Sequence, residues 1–120
     1  MIRGLHHVQL SMPPGEDAVA RAFYGDVLGL PEILKPANLA RRGGVWFRLG
    51  GQELHVGVES AFRPAQRAHP AILVSELDSW RARLERHGHT PHEDEPLPGF
   101  RRFYVADPFG NRLELLEPEA

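Results

Sequence analysis

His7-Val8-Gln9-Leu10 opens a segment that Gly51-Gln52-Glu53-Leu54-His55-Val56 closes, and the second half of the chain repeats the arrangement. There His69-Pro70-Ala71-Ile72 opens and Gly110-Asn111-Arg112-Leu113-Glu114-Leu115 closes. The interval from His7 to His55 exceeds that from His69 to Glu114 by three residues, the size of a small loop insertion. Self-similarity of this kind governs the whole architecture and has to be recognised before any single element is read. A duplicated unit that sets His, His, His and Glu at equivalent places is an economical way to build one metal site.

Alternation within the four strands decides where these side chains point. Successive strand residues face opposite sides of a sheet. Val8 and Leu10, Leu54 and Val56, Ile72 and Val74, and Leu113 and Leu115 give each strand one apolar face to pack on a helix. His7, His55, His69 and Glu114 fall on the other face. Between the strands, a helix from about Glu16 carries Val19, Phe23 and Val27 at helical spacing, with Gly29 as its stop. Three short strands follow between Pro31 and Val58. In the second half Ser75 and Asp78 suggest a capping box for a helix with Leu77, Trp80 and Leu84 as its stripe, ended by Gly88. Thr90–Pro98 is rich in proline and acids, and His92–Gly99 reads as a loop. A strand around Arg101–Val105 and a turn at Asp107-Pro108-Phe109-Gly110-Asn111 lead to the last strand, Arg112–Leu116. The expected fold is α+β, two βαβββ modules (4–59 and 68–119) forming a metal-binding cleft in a single domain spanning 1–120.

Composition narrows the function. At 120 residues, with 42% hydrophobic and 25% charged residues, the chain suits one globular core. Its formal charge of −2, with both signs interspersed, leaves no footprint for nucleic acid or an anionic membrane. No apolar run approaches a membrane span, and no secretory leader stands at the N-terminus, so the chain reads as cytoplasmic. With no cysteine there are no disulfides, thiolate ligands or Cys nucleophiles, whereas seven histidines supply the commonest neutral metal ligand. Mixed imidazole and carboxylate ligands suit a first-row divalent ion. His6 reads as structural, and His87, His89 and His92 as solvated. Trp46, Phe47, Phe100 and Tyr104 read as core or cleft wall, and Arg102 offers a bidentate fork to a substrate carboxylate.

Three segments carry a resemblance to a known family: Leu5-His6-His7-Val8-Gln9-Leu10, Phe23-Tyr24-Gly25-Asp26-Val27-Leu28-Gly29-Leu30, and Phe103-Tyr104-Val105-Ala106-Asp107-Pro108-Phe109-Gly110-Asn111-Arg112-Leu113-Glu114. Together they resemble the vicinal oxygen chelate superfamily over nearly the whole chain. That superfamily includes glyoxalase I, extradiol dioxygenases, methylmalonyl-CoA epimerase, and the fosfomycin and bleomycin resistance proteins. The resemblance implies a divalent metal ion (Zn, Ni, Co, Mn or Fe) held by His7, His55, His69 and Glu114, with Glu114 also catalytic. Gln9, Trp46, Arg102 and Tyr104 are the expected substrate-binding residues. His55 stands where glyoxalase I enzymes place a second Glu, a departure that keeps a ligand but removes a candidate base. The expected function is a glyoxalase-I-like lyase or isomerase acting on a small vicinal-oxygen substrate. The alternatives are an extradiol-type Fe(II) dioxygenase using His7, His69 and Glu114, and a non-enzymatic small-molecule binding or resistance protein. The expected partners are a small-molecule substrate and a second copy in a homodimer, with neither nucleic acid nor membrane.

Overall fold

The computed structural model describes every residue from Met1 to Ala120, and the chain divides into two units, Met1–Arg63 and Pro64–Ala120. In the first unit β1 (His7–Met12) leads into a helix, α1 (Asp17–Ala20), that continues without a break as a π-helical segment, Arg21–Val27. After β2 (Glu32–Ile33) and α2 (Ala37–Ala40), the strands β3 (Val45–Leu49) and β4 (Gln52–Val58) form a tight hairpin. The sheet order is β1-β4-β3-β2, with β1 parallel to β4 and the other pairs antiparallel.

The register confirms the two faces. His7 lies opposite Glu53 and Gln9 opposite His55 on β1 and β4, while Trp46 of β3 lies opposite His55 from the other side. The reverse face buries Met12, Val45, Phe47, Leu54 and Val56 together with Ala20, Phe23, Tyr24, Val27 and Leu28 of the helical segment. Each such side chain removed from water stabilises the fold by roughly 1.5–3 kcal/mol. The expected helical stripe differs in one respect. Phe23 and Val27 are buried as the spacing requires, but Val19 is 38% exposed. The winding is the reason, since Leu28 N–H bonds the Phe23 carbonyl five residues back, which widens the turn and brings Tyr24 and Leu28 inward beside Phe23 and Val27. Entry into β3 needs glycine at 44, where φ is +90° and a Cβ would stand 2.6 Å from the Val56 carbonyl oxygen.

In the second unit β5 (Ala71–Leu73), α3 (Leu77–Arg86), β6 (Phe100–Ala106) and β7 (Arg112–Pro118) build a three-stranded sheet of order β5-β7-β6. β5 runs parallel to β7 and β6 antiparallel to it, which sets Ala71 and Tyr104 on either side of Glu114. Leu77, Leu84, Phe103, Val105, Leu113 and Leu115 form its core. The β6–β7 turn is fixed by Asp107, whose Oδ1 accepts from the backbone N–H of Phe109 (2.9 Å) and Asn111 (2.8 Å), while its Oδ2 accepts from Asn111 Nδ2. Neither sheet closes into a barrel.

Two local expectations are corrected here. The second module carries the strand corresponding to β2 only as an isolated bridge, His92 with Tyr104. Pro91, Pro96 and Pro98 withhold the backbone donors that a longer ladder would need. Ser75 does not cap α3. Glu76 takes a left-handed conformation (φ 61°), and the Glu117 carboxylate of β7 accepts from the backbone N–H of Glu76 (3.0 Å) and Leu77 (3.1 Å). A carboxylate at a helix start satisfies orphan donors and meets the positive end of the dipole. Glu117→Ala is therefore expected to destabilise the protein by about 1 kcal/mol, as loss of a helix cap does, read as a lower urea midpoint at unchanged slope. An unshifted midpoint would assign the cap no energetic role.

Candidate functional site

Each unit assembles one pair of the expected ligands on the polar face of its sheet. In the first unit, β4 has neighbours on both sides, so two aromatic rings close on His55 from opposite directions. The His7 ring stacks on it at 4.2 Å and 17°, and the Trp46 indole at 3.9 Å and 1°. His55 is consequently buried (4% exposed), while His7 stays exposed at the end of β1. His55 Nε2 lies 2.9 Å from Glu53 Oε1. Alternation along β4 already puts Glu53 and His55 on one face, but only the fold shows the carboxylate serving the imidazole. His6, expected to be structural, lies outside β1 and is exposed, its Nδ1 3.0 Å from that of His7.

Burial lowers the pKa of His55 below the ordinary imidazole value of 6.5, against the opposing pull of its hydrogen bond with Glu53 and with a further lowering from His7. The His55 hydrogen bond in turn lowers the pKa of the Glu53 carboxyl. An imidazole with depressed proton affinity binds fewer protons in the native state than in the unfolded chain once pH falls below about 6.5, so acid favours unfolding. Metal-free protein is expected to lose thermal stability as pH drops from about 6.5 towards the folded-state value. A His55→Gln variant should show a flatter profile over that window. Parallel curves for the two proteins in a pH series of melting temperatures would refute the assignment.

In the second unit, His69 and Glu114 meet. His69 Nδ1 lies 2.7 Å from the Arg67 carbonyl, which can only accept, so Nδ1–H donates to it. Nε2 lies 2.9 Å from Glu114 Oε1, and Glu114 is 4% exposed. At this distance the imidazole and the carboxylate share a hydrogen bond, and both atom types are ones that a first-row divalent ion would also take. The second carboxylate oxygen accepts from Arg102 Nη1 at 3.3 Å, the same nitrogen that donates to Tyr104 Oη at 2.7 Å. Arg102 Nη2 donates to the Glu95 carbonyl at 2.6 Å, and Arg102 Nε is buried without a partner. Arg112, whose role the sequence did not reveal, lies over the Tyr104 ring at 3.8 Å, and the His69 ring meets Tyr104 edge-on at 5.0 Å.

The donor set of both halves suits a first-row divalent ion. Glu53 and the Arg67 carbonyl each engage one ring nitrogen, of His55 and of His69 respectively. The expected residues are thus gathered as pairs, His7 with His55 and His69 with Glu114. No group of three or more His, Cys, Asp or Glu able to hold an ion is assembled in the chain. Of the expected substrate contacts, Trp46 covers His55, Gln9 lies beside it in register, and Arg102 and Tyr104 surround Glu114.

Two modules of sheet and helix, each turning imidazole or carboxylate groups away from its core, define a paired-module α+β protein with polar sheet faces. The family model described as Glyoxalase/Bleomycin resistance protein/Dioxygenase superfamily matches residues 4–115, and the chain belongs to that superfamily. A glyoxalase-family protein from Bacillus anthracis is similar at 48% identity, with 99% of this chain and 98% of that one covered and a TM-score of 0.96. The lactoylglutathione lyase of Agrobacterium tumefaciens (24% identity, 98% and 95% covered, TM-score 0.77) has the same fold. So does the fosfomycin resistance protein FosX of Listeria monocytogenes (20% identity, 99% and 94% covered, TM-score 0.77). No helix of the chain is long and apolar enough to cross a membrane.

Proposed function

We propose that the protein is a divalent-metal-dependent enzyme acting on a small substrate with two neighbouring oxygens, in the manner of a glyoxalase-I-like lyase or isomerase. The supporting observation is the His69–Glu114 pair, an imidazole nitrogen 2.9 Å from the oxygen of a buried carboxylate, the two donor types that a first-row divalent ion takes. His7 and His55 supply the other half of the ligand set, and a metal (Zn, Ni, Co, Mn or Fe) held by His7, His55, His69 and Glu114 would supply Lewis acidity towards both substrate oxygens. Glu114 is the catalytic residue. Its carboxylate, partly detached from the ion, would take a proton from one substrate carbon and return it to the adjacent carbon while the hydroxyl proton passes to the neighbouring oxygen, so the net reaction is an isomerisation. Arg102 holds the far oxygen of Glu114 and the Tyr104 hydroxyl, which fixes the direction from which that proton is taken. Trp46 and Tyr104 wall off water, and Gln9 offers its amide to a substrate oxygen.

A homodimer is the proposed assembly. Supporting a dimer, β1 and β5 stand at the edges of their sheets, and β5 leaves Leu73 70% exposed. One observation favours a second reading, an extradiol-type Fe(II) dioxygenase. Glu53 engages His55 Nε2, and without His55 the set reduces to two histidines and one carboxylate.

Untagged protein stripped with a chelator should regain one divalent ion per site and, with Ni, Co or Zn, isomerise methylglyoxal–thiol adducts. Turnover of catechol that demands both Fe(II) and O₂ would transfer the assignment to the dioxygenase reading. A protein that takes up no ion from any of these salts would refute both.

A further inference from the structure

A second feature of the first unit has no part in metal binding. A pocket of about 230 Å³ opens beside the ring stack, lined among others by Gln9, Lys35, Leu39, Arg42, Trp46 and Gly57. Its lining contains two cations and no carboxylate. Arg42 has no ion-pair partner, and Lys35 donates to the Gly43 carbonyl, which leaves donors of its ammonium group available. Lys35 Nζ also stands 6.0 Å from the centre of the Trp46 indole. The floor is shaped by glycine, because a Cβ at Gly57 would lie 2.5 Å from Gln9 Nε2, so the absence of a side chain lets the Gln9 amide lie across β4. Trp46 belongs both to this pocket and to the stack on His55, and Gln9 and Trp46 are the register partners of His55 on either side. Register partners on one sheet face lie about 5 Å apart, so the pocket begins one side chain from the ligand.

From this juxtaposition we infer that the pocket is a subsite for an anionic oxygen group, a carboxylate or a phosphonate, carried by the substrate a short chain away from its paired oxygens. Two uncompensated cations draw an oxyanion into a concave site, and the indole excludes water from the linking carbons. A carboxylate and a phosphonate share this recognition and both fit the volume. The inference rests on the proposed enzymatic reading for the word substrate, but anion capture by the pocket does not depend on a metal.

The test is therefore run on chelator-treated protein as well as on Co(II)-loaded protein. In a Trp80→Phe background, which leaves Trp46 as the single indole, fluorescence is titrated with malonate, methylphosphonate and neutral malonamide. Saturable quenching by malonate or methylphosphonate, but not malonamide, is expected, and the better ligand identifies the oxyanion. Lys35→Gln with Arg42→Gln should weaken that binding at least tenfold while Co(II) uptake is unchanged. Arg42→Gln alone, an exposed substitution that leaves folding intact, should produce part of the same loss. Equal responses to malonate and malonamide, or wild-type affinity in the double variant, would overturn the subsite. Failure of metal uptake alone would instead overturn the enzymatic reading and leave the anion subsite standing.

Discussion

Glu114→Gln is expected to abolish both tight metal uptake and turnover, with activity lower by about 10²–10⁴-fold, the range that a positioned general base contributes. The chemistry of the pair explains why the loss should be confined to function. A glutamine amide at this position donates its own proton to the His69 Nε2 lone pair and still offers a carbonyl oxygen to Arg102. A charged carboxylate that would attract a cation becomes a neutral amide that keeps its hydrogen bonds. Folding survives, and the affinity for an ion falls with the lost charge. Isothermal titration with Zn(II) or Co(II) beside a thermal melt separates the two effects. If the variant binds metal as tightly as wild type, Glu114 is not a ligand. If it melts far below wild type, the carboxylate is mainly structural.

Phe47→Ala should produce the largest stability change, roughly 3–5 kcal/mol, because the ring is fully buried and its loss leaves a cavity under β3. Tyr24 stands 5.7 Å from it centre to centre, and the Phe47 ring approaches the Cβ position of Gly25 to 3.7 Å. Both neighbours lose van der Waals contact when the ring is removed. Urea unfolding would show the change as a displaced midpoint, and a cost under about 1 kcal/mol would mean that the sheet collapses onto the void. Half of the stability of a typical domain can depend on one such residue, given net values of 5–15 kcal/mol.

Much of the fold was legible because strand alternation is a strict period of two. Once Val8, Leu10, Leu54 and Val56 are assigned inward, His7 and His55 have no choice of face, and Leu113 and Leu115 do the same for Glu114, whereas His69 precedes β5 and lies outside the strand whose alternation was read. The cap of α3 was not legible, since Ser75 is the right residue type in the right place and yet Glu117, a strand residue some forty positions away, does the work. The missing strand near His92 was half legible, as its prolines were noted but the repeat argued for pairing. The stack of His7, His55 and Trp46 depends on β1 and β3 flanking β4, which no local pattern states. Lys35 and Arg42 come to Trp46 through a short helix and a glycine turn, so their shared pocket has no periodic signature at all.

The wide turn at Arg21–Val27 has a consequence for how the molecule can vary. A bond reaching five residues back accommodates one more residue than a regular α turn. Removing one residue here would let the neighbouring carbonyls recover ordinary α spacing, so the residues that follow keep their facing towards the sheet. A deletion in this stretch is therefore absorbed by the winding, whereas the same loss from a regular α turn would swing the following side chains about 100° away from the core.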